Sequence, residues 1–251
     1  MTGYGPMLAK EFREFVRTWR IWALLGVFAF FGIVDPVISR FTPEILASVL
    51  GDQLPVQLPE PTHLDAAAQW TGDLTQLLML VVLGIAAASI AGEVARGTHV
   101  LPLTKPLTRP AFVLAKVSCV VVMTAVAAAV GTGLGSVVTL LLFDGVDLLP
   151  LWTAVGVWFV LALVLIAVTV AAACAVSSTV AALGIGFGVH VLLGIAGMWG
   201  PARSYSPAGL ADAVGRAAAG ASVPVWPLVG GVVVAGAVLL LGLVVFRRRE
   251  L

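Results

Sequence analysis

Along most of this chain apolar residues do not alternate with polar ones. They come in long unbroken blocks, about 21–38, 74–91, 112–143, 151–175, 180–199 and 225–246. About 20 such residues cross the hydrocarbon core of a bilayer as an α-helix, and apolarity all round the helix suits a span rather than a surface helix. The expected fold class is therefore all-α, a polytopic membrane protein of six transmembrane helices in a single domain, 1–251. The third block exceeds what a crossing needs, so it tilts, projects from the membrane or breaks near Gly131, Gly133 and Gly135. Asp35-Pro36 near the end of the first block reads as a helix stop. Residues 40–73 then form a polar loop with a short helix expected over Pro43–Leu50, and 200–223 form a second loop on the same side. Only Ser177-Ser178-Thr179 separates the fourth block from the fifth.

Ahead of the first block, residues 7–20 are amphipathic. Leu8, Phe12, Phe15 and Trp19 share one helical face, and Lys10, Arg13, Arg17 and Arg20 populate the other. Those faces suit the surface of an anionic membrane, so an interfacial elbow helix in contact with lipid is expected, the plainer reading being the solvated start of span one. No small-residue cleavage site follows the first apolar block, which is expected to stay as a signal anchor.

Composition closes off the soluble alternative. Hydrophobic residues make up 60% of the chain and charged ones 11%, with mean hydropathy +1.08; a soluble domain carries about a quarter charged residues. Charge placement then orients the ladder. Six spans return the chain to its starting side, which holds eleven of the 14 basic residues, leaving Arg40, Arg203 and Arg216 opposite, beside eight acids. That asymmetry puts both termini in the cytoplasm of a multi-pass plasma (cytoplasmic) membrane protein. Pairs of glycines four apart, Gly131 with Gly135 and Gly184 with Gly188, permit close helix approach, though such pairs are common in glycine-rich membrane chains.

Candidate chemistry is sparse. Cys119 and Cys174 sit in apolar blocks without metal-ligand spacing, and no metal site is expected. His190 is the one titratable side chain deep in a span, either a polar site for a proton or substrate or a bond to a neighbouring helix. No zinc-binding His-Glu-x-x-His, nucleophile elbow or phosphate-binding loop is present: none of the three lysines follows a glycine. No catalytic residues are expected, and the chain is not itself the usual kind of nucleotide hydrolase. A secondary carrier would need coordinating groups within the spans, of which there are few.

The informative segment is 92–111, GEVARGTHVLPLTKPLTRPA. Val100, Leu101 and Leu103 place apolar groups outside the membrane, which suits docking to a partner or a turn resting on the interface. Pro106 and Pro110 bracket Arg109 where a helix should begin. Glu93, the Gly97-Thr98 pair, the apolar positions to Leu101, the Pro106-x-x-Arg109 run and Lys116 together resemble the first cytoplasmic loop of ABC type-2 exporter permeases. The elbow, six spans and basic C-terminal tail are similar to that family along the whole chain. Two departures are Pro102, which interrupts the leucine-rich part, and Thr108, where serine is usual.

That resemblance implies a permease of an ATP-driven exporter, paired with a second permease chain, identical or related. A separate ABC ATPase subunit would carry ATP and Mg, with no cofactor in this chain and no nucleic-acid partner. Gly97, Thr98, His99, Val100 and Leu101 would contact the ATPase, Glu93 and Arg109 would anchor the loop at the membrane surface, and Ser177–Thr179 would be a smaller contact. A non-transporting membrane anchor or assembly subunit remains the main alternative.

Overall fold

A computed structural model describes residues 3–50, 60–95 and 108–248. Among them every regular element is helical, as lipid demands of a chain that must satisfy its backbone hydrogen bonds within each segment. Helix α1 (Tyr4–Arg17) ends where Thr18 turns extended, and α2 (Trp19–Leu50) follows at once. Helix α3 (His63–Asp73) passes through a single π turn, Leu74–Leu78, into α4 (Met79–Ala95). The remainder is α5 (Arg109–Leu142), α6 (Leu149–Ala175), α7 (Thr179–Ala196), α8 (Gly200–Tyr205), α9 (Leu210–Ala218) and α10 (Val225–Arg248). Six of the helical runs are long and apolar enough to cross a membrane.

Two boundaries differ from the sequence reading, and one alternative it left open is removed. Helix α2 does not stop at Asp35-Pro36 but continues through Pro36 and Pro43, absorbing the short helix expected over 43–50. A proline removes one ladder bond; at Pro36 the burial of Asp35, Pro36 and Ser39 supports the helix across that gap, whereas the turn around Pro43 is mostly exposed. Helix α3 begins eleven residues before the expected span at 74, started by a capping box in which Thr62 N and Oγ1 both donate to Asp65 Oδ2, at 2.8 and 2.7 Å. Helix α5 is unbroken at Gly131, Gly133 and Gly135; at 1.5 Å per residue its 34 residues reach about 51 Å, well beyond one bilayer core.

Glycine serves instead at the crossing of α2 and α5. A Cβ on Gly131 would lie 2.7 Å from Phe28 O, one on Gly135 2.9 Å from Gly32 O, and one on Gly32 would collide with Gly131 O. The Gly131/Gly135 pair thus builds an intramolecular interface of touching backbones. Gly184 and Gly188 face open space, whereas Gly186 between them lies against Thr169 of α6.

The most buried span is α6, and α7 and α10 are the least enclosed. Trp158 of α6 donates from Nε1 to Leu74 O at 2.9 Å, satisfying a carbonyl at the π turn. Phe28 stands edge-on to both Trp70 and Trp158, and Trp70 Nε1 donates to Thr132 Oγ1 at 3.1 Å. These contacts lock α2, α3, α5 and α6 together. In the 200–223 loop, α9 buries Leu210, Ala213, Val214 and Ala217 against the bundle, packing on α6 and α3.

Candidate functional site

Helix α1, the start of α5 and the end of α10 come together at one end of the bundle. Here α1 meets the first turns of α5. A charge one turn or more inside a span needs a partner, and Lys116 has one: its Nζ lies 3.0 Å from Glu11 Oε2, with Lys116 2% and Glu11 11% exposed. The same ammonium sits 5.0 Å from the centre of the Phe112 ring. Phe112 stacks on Phe246 of α10, centroids 5.9 Å apart and planes 8° from parallel. Tyr4 and Ser118 hydroxyls are 2.9 Å apart, closing the α1–α5 contact at its start.

Arg109 extends the assembly. Its Nη1 donates long hydrogen bonds to Phe246 O (3.5 Å) and Arg247 O (3.3 Å). Those carbonyls belong to the last described turn of α10, which carries the negative end of the helix dipole. The arginine thus ties the start of α5 to the end of α10. Pro110 occupies the first turn of α5, where a missing N–H costs nothing.

Helix α1 turns Tyr4, Met7, Leu8, Glu11 and Phe15 inward. Phe12 is half-buried beside them, and Lys10, Arg13 and Arg17 are exposed on the other side. The expected face needs one correction: Trp19 lies beyond the break at Thr18, in α2, and is 75% exposed. The extended Thr18 ends the helical register that would have placed it beside Phe15. Lys10 pairs with Glu14 at 3.0 Å. Partial burial would raise the Glu14 carboxyl, but the Lys10 hydrogen bond and charge, with the charges of Lys116 and Arg20, outweigh it and hold it below its ordinary value.

Sequence reading missed Glu11 as a functional side chain. The available signals were a lysine inside an apolar block and an acid three residues after Leu8 and four before Phe15, on the apolar face of α1.

The remaining candidates lie apart. The Glu93 side chain and residues Gly97, Thr98, His99, Val100 and Leu101 are outside the described residues. Ser178 caps α7, its hydroxyl accepting from Ala181 N at 3.2 Å. His190 is in α7, beside Phe187 and facing the Thr75 backbone of the π turn, with a buried Nδ1 that has no partner among the described residues. It is therefore separate from the Glu11–Lys116 cluster. Among the described residues no group of His, Cys, Asp or Glu is placed to hold a metal ion.

Residues 6–205 match the family model described as ABC-2 family transporter protein. A search of curated proteins gave no match.

Proposed function

Because the chain belongs to the ABC-2 transporter family, we propose that it is the membrane-spanning permease subunit of an ATP-driven exporter, powered by a separate ABC ATPase subunit. The termini lie in the cytoplasm of the plasma membrane on this reading, supported by the clustering of basic residues at that end. A second permease chain completes the translocation path. ATP and Mg stay with the ATPase, and this chain hydrolyses nothing.

The observation that carries the coupling reading is the bracing of α5 near its start, at Arg109 and Lys116. Glu11–Lys116 fastens that helix to α1, and Arg109 fastens it to the end of α10. A push on the segment before Arg109 therefore reaches three helices at once rather than bending one. Gly97, Thr98, His99, Val100 and Leu101 would take that push from a groove in the ATPase, with Glu93 anchoring the far side of the loop and Ser177–Thr179 making a smaller contact. The α1 face bearing Lys10, Arg13 and Arg17 would rest on anionic lipid. Few charges interrupt the spans, which suits apolar or amphiphilic cargo.

The test is a crosslink from His99→Cys, in a chain with Cys119→Ser and Cys174→Ser, formed in membrane vesicles. Capture of an ATPase that changes with added nucleotide supports the permease role. Efficient labelling at that position with no ATPase captured, in vesicles that contain the partner, would sink the coupling reading and favour a membrane anchor.

A further inference from the structure

Helix α3 passes into α4 through the π turn Leu74–Leu78, whose Leu74 and Leu78 are fully buried. A π turn takes in more residues than an α-helical turn and displaces the regular hydrogen-bond ladder, so it persists only where other groups hold it. Here three consecutive residues are met by side chains from three other spans. The Asp35 carboxyl of α2 meets that of Asp73, Trp158 of α6 donates from Nε1 to Leu74 O at 2.9 Å, and His190 of α7 faces the Thr75 backbone. Hydroxyls of the same stretch also turn back on the helix, Thr71 Oγ1 donating to Ala67 O and Thr75 Oγ1 to Thr71 O, both at 2.8 Å. Such back-bonding weakens and bends a helix.

This support is incomplete. The buried side-chain atoms without a hydrogen-bond partner among the described residues are Asp35 Oδ2 and His190 Nδ1, and both side chains reach this turn. An orphaned buried polar atom costs free energy, so the surroundings do not fully favour the arrangement they hold. There is also room beside it. A cavity of about 660 Å³ is lined by Gly72, Asp73 and Gln76 together with Ser39 and Thr42 of α2, and a Cβ on Gly72 would meet nothing within 4 Å. The holding groups differ in how firmly they are seated. Trp158 is fully buried in the most enclosed span, whereas α7 is the least enclosed, so His190 can withdraw with little repacking.

We propose that the π turn is a two-register joint between α3 and α4, with Trp158 and His190 as positioning residues that hold the register seen here. Closing the turn to α-helical geometry steps one half past the other by one residue, about 1.5 Å along the axis and about 100° around it. This inference rests on the permease reading above, in which α4 leads into the stretch that takes the push from the ATPase. The joint lets α4 turn with that push while α3 stays packed on α2 and α9.

Spin labels on Ala68→Cys in α3 and Ala88→Cys in α4, with Cys119→Ser and Cys174→Ser, report the register of the full chain in nanodiscs by double electron–electron resonance. One distance is expected with Trp158 and His190 in place. Trp158→Phe with His190→Phe, which removes both N–H groups at the turn, should add a second distance displaced by a few ångströms. His190→Phe alone should add the same population to a smaller extent, and decides the matter if the double variant fails to fold. His190→Gln, which keeps an N–H at that place, should retain the single distance. A control pair in the unbroken α5, Val122→Cys with Leu141→Cys, should not respond. A single unchanged distance in the Phe variants, a shift shared by the α5 pair, or a second population as large with His190→Gln as with His190→Phe overturns the joint. The readout needs neither ATPase nor nucleotide, so that outcome leaves the coupling reading standing, and a failed crosslink at His99 would leave the two registers standing.

Discussion

Lys116 is the residue on which the α1–α5 contact turns. A buried pair gains little over apolar packing when intact, but removing one partner strands the other and costs about 3–5 kcal/mol. Lys116→Met should therefore lower the unfolding midpoint in detergent sharply, and Glu11→Leu added to it should recover most of the loss. If the single variant unfolds where the wild type does, the pair is not the brace described here. Glu14 gives a milder, pH-dependent effect. Its folded pKa lies below the ordinary 4.5, so its contribution is fully present above that value and lost as pH falls through the folded pKa. The stability gap between wild type and Glu14→Gln should be present at neutral pH and close on acidification below about 4.5, small throughout because the side chain is half-exposed. The basic face of α1 was legible from residue type and spacing, whereas Glu11 was not, because its meaning depends on a lysine 105 positions away.

At the scale of elements, the crossing of α2 with α5 depends on backbones that touch. Gly131→Ala should cost about 1–3 kcal/mol through overpacking against Phe28 O. Gly184→Ala and Gly188→Ala meet nothing within 4 Å, and the better helix propensity of alanine should leave them neutral or slightly stabilising. Unfolding midpoints of the three variants check this, and a destabilised Gly184→Ala with an unaffected Gly131→Ala would reverse the assignment. Both pairs read alike in sequence, since four-residue spacing says that a helix can approach closely and not what it approaches. The prolines of α2 gave a similar difficulty. A local rule stops the helix at Pro36, and the tertiary packing that carries it onward is invisible to that rule.

For the whole molecule, the consequence of bracing is that a force reaching the start of α5 would spread to α1 and α10. Leu101→Asp, on the proposed docking stretch, should abolish nucleotide-driven transport by the reconstituted complex while leaving membrane insertion intact; transport surviving at normal expression would remove Leu101 from the docking role. Six spanning segments and the helical class were determined by the sequence alone, because lipid leaves a long apolar chain one way to satisfy its backbone. Membership of the transporter family was legible in the short 92–116 motif together with the layout, and residues 6–205 carry the match. Only the tertiary structure decided which helices touch, which glycine pair is an interface, and that Glu11, Lys116, Arg109 and the end of α10 form one assembly. The same holds for Asp35 and Asp73, 38 residues apart in number, whose side chains come together between α2 and α3. Hydrophobic patterning is a local property that each segment reports for itself, whereas a contact between distant residues exists only once the segments have packed.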